Sequence, residues 1–379
     1  MEQLSLGVFG TSRKENELRL PIHPRHLERI DPALRRSIFL ERGYASHFGT
    51  TDEDLTGLVA GLRSQQELIE ECDILLLPKP LPEDLASMRD GQVLWGWPHC
   101  VQDEALTQQA IDRRLTLIAW ESMNHWVHDG SFGIHVFHQN NELAGYCSVM
   151  HALSLVGLTG EYGRPLSAAV ISYGATGRGA VTALRAVDIS DITVMTHREP
   201  SAVESPPHAV TMTRFAAVDG GRVEVIVDSG NKPMAEVLAD HDIIVNCVLQ
   251  DTDAPYMFVT TDELDTLERG TLIVDVSCDE NMGFEWARPT SFEDPMFTMG
   301  DQIYYYAVDH SPSYLWDSAT WEISEALLPY LPSVMGGAGS WGRDATIHRA
   351  IEIRDGVIQN PKILSFQNRS ANYPHAKLG

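Results

Sequence analysis

Short apolar runs alternate with amphipathic stretches along the first third of the chain. The runs that predict strands are Leu6–Phe9, Asp73–Leu77, Val93–Trp97 and Thr116–Trp120. A proline follows at or just after the end of two of them, and proline lacks the N–H that a sheet ladder needs. Residues 24–42 predict a helix with a break near Asp31. The alternation predicts an α/β layer with a largely parallel sheet.

The middle third contains more continuous apolar runs. The predicted strands are Ala168–Tyr173, Ile192–Thr196, Val223–Val227, Asp242–Val248 and Thr271–Val276. A strand buried on both faces of a parallel sheet is apolar throughout, as in the run of residues 243–245. Because helical stretches separate several of these strands, a doubly wound sheet is the economical interpretation.

The segments that flank this middle third indicate the domain organisation. Residues 143–158 predict a long, mostly apolar helix between two domains, and Ile303–Val308 predicts a sixth strand. Ser318–Leu328 predicts a helix, and Gly336–Ser340 predicts a flexible loop. We expect the C-terminal part to fold back on the first domain. The predicted fold class is therefore α/β, with two Rossmann-like domains built on parallel sheets. The cofactor domain, 143–308, is inserted in a discontinuous substrate domain, 1–142 and 309–379.

Composition narrows the classes of function. The chain has 379 residues, too many for one ordinary core. Its net charge of −25 argues against a nucleic-acid partner, which needs clustered Lys and Arg. No apolar run is long enough to span a membrane, and the first residues do not resemble a signal peptide, so we expect a cytoplasmic protein. The five cysteines are scattered without metal-ligand spacing and predict reduced thiols. The sequence leaves open whether the protein forms a homo-oligomer.

A glycine-rich segment follows the predicted strand Ala168–Tyr173. It contains Ser172, Gly174, Ala175, Thr176, Gly177 and Arg178. Such glycines allow a tight turn and let the backbone approach a pyrophosphate, and the following helix offers free N–H groups to the anion. Ser172 departs from the GxGxxG pattern by holding the first glycine position. Because a strand precedes the segment and a helical run follows it, we predict a dinucleotide site.

The end of the next predicted strand, Ile192–Thr196, indicates which dinucleotide binds. An NAD-selective site usually has Asp or Glu here, where it accepts from the ribose 2′-OH. Thr196 holds that place, followed by His197 and Arg198. A hydroxyl and a guanidinium suit a 2′-phosphate, so NADP(H) is favoured over NAD(H). Val248 and Leu249, at the end of a later strand, are also predicted to contact the cofactor.

Polar side chains lie at or after presumed strand ends in the first domain. They are Arg19, Lys79, His99 and Glu121. The carboxyl ends of parallel strands are where α/β folds bind ligands. A 2-oxo acid needs a cation for its carboxylate, and imine formation needs a proton-transfer group whose pKa lies near the working pH. The set predicts chemistry on a small oxo acid and an amine.

Several blocks of the chain together resemble one enzyme superfamily. The blocks are Glu17–Pro24, Lys79–Leu81, Gly91–Cys100, Glu121, Gly174–Arg178, Val274–Asp279 and Val308–Ser313. They are similar to blocks of the superfamily of alanine dehydrogenase, saccharopine dehydrogenase (lysine-forming) and N5-(carboxyethyl)ornithine synthase. The resemblance runs over most of the chain. The tyrosine run 304–306 and the stretch Asp309–Leu315 favour the carboxyethylornithine and saccharopine types.

The resemblance implies a role for each matching residue. Arg19 would bind the substrate carboxylate. Glu121 would lie beside the substrate amine. Lys79 and His99 would be catalytic, although the usual Lys-Glu-Pro is Lys79-Pro80-Leu81 here. Asp279 would face the nicotinamide and the substrate. Asp309 and His310 belong to an Asp-His-x-Pro-Ser-like motif and are taken as substrate-binding.

The implied reaction joins an amino group of one amino acid, on an ornithine or lysine side chain, to a 2-oxo acid, or cleaves the product. The small-molecule partners would then be a 2-oxo acid and an amino acid. Alanine dehydrogenase-type oxidative deamination, with ammonia as the amine, is an alternative, and so is full saccharopine dehydrogenase. An alternative of another class is a non-catalytic module that binds NADP(H).

Overall fold

The computed structural model describes residues 3–127, 129–198, 210–227 and 230–378. The chain forms two compact units. Unit 1 comprises residues 1–138 and 315–379, and unit 2 comprises residues 139–314. Unit 1 is therefore discontinuous in sequence, with unit 2 inserted in it. The predicted fold class, α/β with Rossmann-like sheets, is confirmed. The assignment of substrate and nucleotide functions to 1–142 with 309–379 and to 143–308 stays a prediction.

The strands are numbered along the chain. They are β1 (Leu6–Val8), β2 (Ile38–Glu41), β3 (Gly61–Arg63), β4 (Ile74–Leu76), β5 (Val93–Gly96), β6 (Thr116–Ala119), β7 (Asn124–Trp126), β8 (Phe132–His135), β9 (Ser167–Ile171), β10 (Asp191–Thr196), β11 (Thr211–Ala217), β12 (Val223–Val227), β13 (Gly230–Pro233), β14 (Ile243–Asn246), β15 (Met257–Val259), β16 (Leu272–Asp275), β17 (Gly283–Phe284), β18 (Met296–Met299), β19 (Ile303–Tyr306), β20 (Ile351–Arg354) and β21 (Val357–Ile358).

The α-helices are numbered in the same way, and short 3-10 turns complete the structure. They are α1 (Pro32–Arg35), α2 (Asp52–Leu55), α3 (Gln65–Glu71), α4 (Pro82–Ser87), α5 (Glu104–Asp112), α6 (His138–Val156), α7 (Ala175–Ala186), α8 (Met234–Leu238), α9 (Trp316–Leu327), α10 (Leu331–Met335), α11 (Ala338–Trp341), α12 (Ala345–Arg349) and α13 (Pro361–Phe366).

Unit 1 is built on an eight-stranded sheet in the order β21-β20-β6-β5-β4-β1-β2-β3. The strands from β6 to β3 are parallel, and β20 joins β6 in the antiparallel sense. Strands β1, β4, β5 and β6 are buried along their whole length, because apolar cores cover both faces of the sheet. Their carboxyl ends therefore lie along one edge, where the predicted polar residues follow them.

Unit 2 is built on a nine-stranded sheet in the order β13-β12-β11-β10-β9-β14-β16-β19-β18. Its six central strands, β11 to β19, are parallel, and an antiparallel hairpin or strand extends each side. Counted along the chain, the parallel strands follow the order 3-2-1-4-5-6, the doubly wound dinucleotide-binding arrangement. The order reverses between β9 and β14, which places the switch point at the glycine-rich segment.

Three details differ from the sequence prediction. Residues 38–41 were predicted helical but form β2, since the isoleucine and leucine of that run pack into the unit 1 core. Val223–Val227 is a strand, as predicted, but pairs antiparallel with β11, which the sequence prediction missed. The predicted loop 336–340 contains the start of α11. Tertiary packing decides each of these cases, since short segments carry ambiguous patterns.

Long apolar helices are missing from the part of the chain that is described. None of its helices has the length and hydropathy that a membrane crossing requires. All five cysteines are buried and free of disulfide bonds.

Candidate functional site

Lys79 and His99 meet at the carboxyl edge of the unit 1 sheet. Lys79 follows β4 and His99 follows β5, and their Nζ and Nε2 atoms are 2.9 Å apart. The two strands stay paired beyond their ends, because the N–H of Trp97 donates to the carbonyl of Pro78 at 2.9 Å. Gly96 permits this approach because it has no side chain. A Cβ at this position would lie only 1.9 Å from the Leu77 carbonyl oxygen. The pair is therefore a consequence of strand register.

His99 adopts an unusual backbone conformation. Its φ of 48° lies in the left-handed region, which only a few per cent of residues other than glycine adopt. Strain of this kind persists where surrounding structure enforces it and is concentrated at functional sites. Here the His99 N–H donates to Glu121 Oε1 at 2.7 Å, and the His99 carbonyl accepts from the N–H groups of Gln102 and Asp103. These bonds hold the imidazole against Lys79.

Glu121 follows β6 and completes the edge. Its second oxygen, Oε2, is buried and has no hydrogen-bond partner among the described residues. Burial, reinforced by the negative charge of Glu352, raises the pKa of Glu121 to about 8. The backbone carbonyl of Glu121 accepts from His135 Nε2 at 3.2 Å, while His135 Nδ1 accepts from the Phe137 N–H. Burial lowers the pKa of His135, so this histidine is a neutral support.

Arg19 is almost enclosed within unit 1, with 4% of its surface exposed. Its Nε donates to Glu17 Oε1 at 2.8 Å, and its Nη2 donates to Glu17 Oε2. The guanidinium lies 5.2 Å from the ring centroid of Trp97, two residues before His99. Glu17 thus occupies the edge of the Arg19 guanidinium that carries Nε and Nη2. The N–H groups of Nη1 and the second N–H of Nη2 remain for an anion.

The glycine-rich segment of unit 2 forms a strand-to-helix turn. Ser172, in the first glycine position of the motif, has φ 79° and so adopts the conformation that glycine usually supplies there. Gly177 lies against this turn, since a Cβ there would be 2.4 Å from the Ser172 carbonyl oxygen. Gly174 is the N-cap of α7, and a Cβ there would meet nothing within 4 Å. The turn therefore leaves open space beside the first N–H groups of α7.

These features fit a pyrophosphate. Ala175 and Thr176 begin α7, and Gly174, having no side chain, leaves the first-turn N–H groups uncapped. Uncapped N–H groups and the positive end of the helix dipole attract an anion. Arg178, one turn later, stacks on Tyr173 with its guanidinium carbon 4.5 Å from the ring centroid. The local geometry therefore suits an anion such as a pyrophosphate, and dinucleotide binding at this turn stays a prediction.

The end of β10 holds the predicted ribose contacts. Thr196 is buried, and its hydroxyl accepts from the Arg198 N–H at 3.1 Å. His197 and Arg198 are exposed. Thr196 also pairs in register with Arg214 on β11, so both side chains lie on the same face of the sheet. Among the described residues at the end of β10 no acidic side chain occurs.

The ends of β14 and β16 are joined by a buried polar network. Asn246 Nδ2 donates to Asp275 Oδ1 at 2.9 Å, and the Tyr305 hydroxyl donates to Asp275 Oδ2. The Val248 N–H donates to Asn246 Oδ1 at 3.2 Å, which fixes the loop after β14. Leu249, the next residue, is 96% exposed. An apolar side chain presented in this way at the carboxyl edge suits contact with a bound ligand.

Asp279 follows β16 after a left-handed turn at Cys278, whose φ is 57°. The turn is held by Asp275, which accepts from the N–H groups of Ser277 and Cys278 at 3.1 and 3.3 Å. Burial, and then the charge of Asp275, raises the pKa of Asp279 to about 7. Burial likewise raises the pKa of Asp275 to about 6. Asp279 can therefore gain or lose a proton near neutral pH.

Asp309 and His310 follow β19 in unit 2. His310 Nδ1 is 2.6 Å from Asp309 Oδ1, and the imidazole is enclosed against the edge of Phe292. The Asp309 side chain keeps 28% of its surface exposed. A buried histidine that contacts an accessible carboxylate orients it, so Asp309 is the member of this pair that can reach a ligand.

The structure thus sorts the predicted residues into two sets. Lys79, His99 and Glu121 are joined by direct contacts in unit 1, and Arg19 reaches the same region through Trp97. The predicted cofactor residues, with Asp279, Asp309 and His310, follow the ends of parallel strands in unit 2. The role of every residue in both sets stays a prediction.

Four residues that contact the predicted sites or their strand ends were missed by the sequence analysis. Asn246 and Asp275 end strands, so the rule that selected Glu121 could have found them. Tyr305 was noted only as part of the tyrosine run, and its bond to Asp275 depends on the pairing of β16 with β19. Glu352 lies far from Glu121 in sequence, and no local pattern signals it.

Comparison with known proteins identifies the family of the chain. Residues 11–132 match the model of the alanine dehydrogenase/PNT N-terminal domain, and residues 158–361 match that of the C-terminal domain. N(5)-(carboxyethyl)ornithine synthase of Clostridium botulinum is 23% identical over 342 residues, covering 87% of this chain and 94% of that protein. Alanine dehydrogenase of Mycolicibacterium smegmatis is 23% identical over 368 residues, covering 92% and 93%.

A solved L-alanine dehydrogenase shares the fold. It superimposes with a TM-score of 0.75 at 19% identity, covering 96% of this chain and 99% of that one. The predicted superfamily is confirmed, and with it the coarse prediction of an NAD(P)-dependent amino acid oxidoreductase. Since the two domain models together span most of the sequence, the chain belongs to the alanine dehydrogenase/PNT family.

Proposed function

We propose that the protein catalyses the NADPH-dependent reductive condensation of an amino acid amino group, on an ornithine or lysine side chain, with a 2-oxo acid, or the reverse cleavage. The observation that carries the proposal is the 2.9 Å contact between Lys79 Nζ and His99 Nε2, beside the enclosed Arg19. Forming a C–N bond next to a carboxylate needs an anion-binding cation and a proton-transfer pair. Unit 1 supplies both.

Arg19 binds the carboxylate of the 2-oxo acid in this proposal. Glu17 already holds Nε and one N–H of Nη2, which fixes the plane of the guanidinium. The N–H groups that remain, on Nη1 and Nη2, lie along another edge of the guanidinium. A carboxylate can accept two parallel N–H···O bonds from that edge. The Trp97 face stabilises the cation from the side, as cation–π contacts do.

Lys79 and His99 transfer the protons of the condensation. Addition of the amine to the oxo carbon gives a carbinolamine, and loss of water from it requires a proton on the departing hydroxyl. A proton placed between Nζ and Nε2 can be delivered to that oxygen and later recovered from the amine. Glu121, fixed by its bond to the His99 N–H, lies beside the amine in this arrangement.

The nucleotide is proposed to bind along the turn from Ser172 to Arg178. The open space at Gly174 and the uncapped first turn of α7 fit a pyrophosphate. When bound, the cofactor supplies the hydride that reduces the imine carbon. Thr196, His197 and Arg198 would face the ribose 2′ position, and a guanidinium in place of an acid supports NADP(H) over NAD(H). Val248 and Leu249 would contact the nucleotide from the loop after β14.

Asp279 and Asp309 are proposed to orient the nicotinamide or to hold the cationic end of the amine partner. Asp279 is kept near its titration point by burial and by Asp275. Asp309 is oriented by His310. We propose that the enzyme is cytoplasmic, in keeping with five buried cysteines that form no disulfide bond. Small-molecule substrates suffice for all of these contacts.

A second candidate is alanine dehydrogenase-type oxidative deamination, in which ammonia is the amine. The full-length similarity to alanine dehydrogenases supports it. It requires no site for a second amino acid, and it uses the same Lys79–His99 pair. Substrate choice therefore separates the two candidates, whereas loss of the pair does not.

The deciding assay follows NADPH absorbance with pyruvate or 2-oxoglutarate and ammonia, ornithine or lysine, each repeated with NADH. Oxidation only with a diamino acid supports the condensing enzyme. Oxidation with ammonia alone assigns the deaminating reaction and overturns the condensation. No oxidation with any amine, together with tight NADPH binding, would establish a non-catalytic nucleotide-binding module.

A further inference from the structure

Glu352 is a buried carboxyl group that no predicted function uses. It belongs to β20, near the C-terminal end of unit 1, and only 4% of its surface is exposed. Strand β20 adds to the sheet beside β6, with the Ala119 N–H donating to the Ala350 carbonyl at 2.8 Å. This pairing brings Glu352 to the segment that follows β6. Isolated buried carboxylates are costly, so such a residue requires an explanation.

The contacts of Glu352 lead directly to the proposed active site. Its Oε1 accepts from the Ser122 hydroxyl, and its Oε2 accepts from Asn360 Nδ2 at 2.7 Å. Ser122 follows Glu121 in the same 3-10 turn. A continuous chain of contacts therefore runs from Glu352 through Ser122 and Glu121 to the backbone of His99.

We propose that Glu352 is a positioning residue for Glu121, acting through its charge and through Ser122 on the carboxyl group beside the Lys79–His99 pair. The inference rests on the function proposed for that pair. Glu352 itself touches no reacting atom. Its effect is to disfavour the ionised form of Glu121, so that Glu121 keeps a proton on the enclosed oxygen Oε2.

The groups around Glu121 determine the sign of this effect. Its Oε1 accepts the His99 N–H, which favours the ionised form, and the charge of Lys79 acts in the same direction. Burial and the charge of Glu352 act in the opposite direction and prevail. The buried thiol of Cys100 and the imidazole of His135 also face this segment, and burial holds both in their neutral forms. Burial also raises the pKa of Glu352, but the hydrogen bonds from Ser122 and Asn360 favour its ionised form, so Glu352 is the charged neighbour that opposes ionisation of Glu121.

The chemical consequence concerns a proton. A protonated Glu121 carries an O–H at Oε2, an atom with no hydrogen-bond partner among the described residues. It can donate to a substrate nitrogen or oxygen beside the Lys79–His99 pair and recover the proton afterwards. An ionised Glu121 would instead form an ion pair with a substrate ammonium group and disfavour the neutral amine that must attack the oxo carbon.

The test is a titration of Glu121 that needs no substrate. Glutamate labelled with 13C at the carboxyl carbon is followed by NMR in the full-length protein, and the Glu121 signal is assigned by its loss in Glu121→Gln. We expect a midpoint near pH 8 in the wild type. In Glu352→Gln the midpoint should fall by about one unit, since a nearby like charge has been removed. Glu352→Asp, which keeps the charge, should restore most of the shift.

Each outcome decides the inference. A midpoint that is unchanged in Glu352→Gln, or a wild-type midpoint below about 5, would overturn it, and the wild-type measurement applies even if the variant fails to fold. The pH profile of turnover is a separate readout, and its alkaline limb, where Glu121 loses its proton, should move with the Glu121 midpoint. Absence of turnover in the wild type would refute the proposed function while leaving the titration result to decide on Glu352.

Discussion

The ammonium nitrogen of Lys79 lies 2.9 Å from Nε2 of His99, although twenty positions separate the two residues. The contact arises because parallel strands β4 and β5 end at the same sheet edge and remain paired beyond their ends. A direct contact between two groups that can each carry a proton lets the proton pass from one to the other, which suits a proton relay. The predictions below begin with this pair.

Replacing either member of the pair should abolish catalysis and leave nucleotide binding intact. We expect Lys79→Met and His99→Asn each to lower kcat by about 10²–10⁴-fold, the usual contribution of a positioned acid–base. Asparagine tolerates the left-handed backbone that His99 adopts, so the fold should persist. Single-turnover kinetics and NADPH binding by fluorescence measure the two effects. An equal loss of binding and turnover would contradict the assignment.

Two glycines of the turn before α7 should separate folding from nucleotide binding. Gly174→Ala should leave the melting temperature unchanged, because a Cβ there meets nothing within 4 Å, but should weaken nucleotide binding by occupying the open space. Gly177→Ala places a Cβ 2.4 Å from the Ser172 carbonyl oxygen and should cost about 1–3 kcal/mol of stability. Calorimetry and a binding titration on both variants provide the comparison. Full nucleotide affinity in Gly174→Ala would exclude this turn as the pyrophosphate site.

Arg198 should confer the preference for NADPH. Arg198→Ala removes a charge-assisted bond to the 2′-phosphate, worth about 1.5–3 kcal/mol, so the Kd for NADPH should rise about 10- to 100-fold. The Kd for NADH should stay within about twofold, since it lacks that phosphate. Thr196→Asp, which adds an acceptor for the ribose 2′-OH, should favour NADH instead. Equal effects on both cofactors would refute the proposed preference.

The enclosed pair of Glu17 and Arg19 should be important for stability. Glu17→Gln leaves the Arg19 charge buried without its partner, and breaking a buried pair typically costs about 3–5 kcal/mol. Glu325→Gln, which removes the half-exposed partner of Arg29 and His26, is the comparison variant and should cost at most about 1 kcal/mol. Urea denaturation of both variants measures the difference. Similar losses would show that burial of the first pair is energetically unimportant.

Asp279 should make the protein less stable as the pH rises. Because its pKa is raised in the folded state to about 7, the folded protein binds a proton that the unfolded chain releases near pH 4. Its stabilising contribution is therefore present below about pH 4 and is lost as the pH rises to about 7. Asp279→Asn should gain stability relative to wild type over this window and stay level above it. The exposed neighbour Glu280, changed to Gln, serves as the control and should show no such trend.

The strand ends could be predicted from sequence because buried parallel strands carry continuous apolar runs. Lys79, His99 and Glu121 each follow such a run, so their common edge was predictable before any contact was known. The nucleotide turn was predictable for a similar reason, since the strand, glycine-rich segment and helix are contiguous. Ser172 shows that a motif position can be filled by a residue that the turn holds in the glycine conformation.

The remaining relationships required the tertiary structure. Glu352 reaches Ser122 only because β20 adds antiparallel to β6, a pairing between segments more than two hundred residues apart. Asp275 joins Asn246 and Tyr305 only because β16 lies between β14 and β19. Apolar periodicity determines which segments become strands and which side chains follow them. Strand order and burial decide which of those side chains meet, and therefore which carboxyl groups keep a proton at neutral pH, because desolvation and neighbouring charge act only through space.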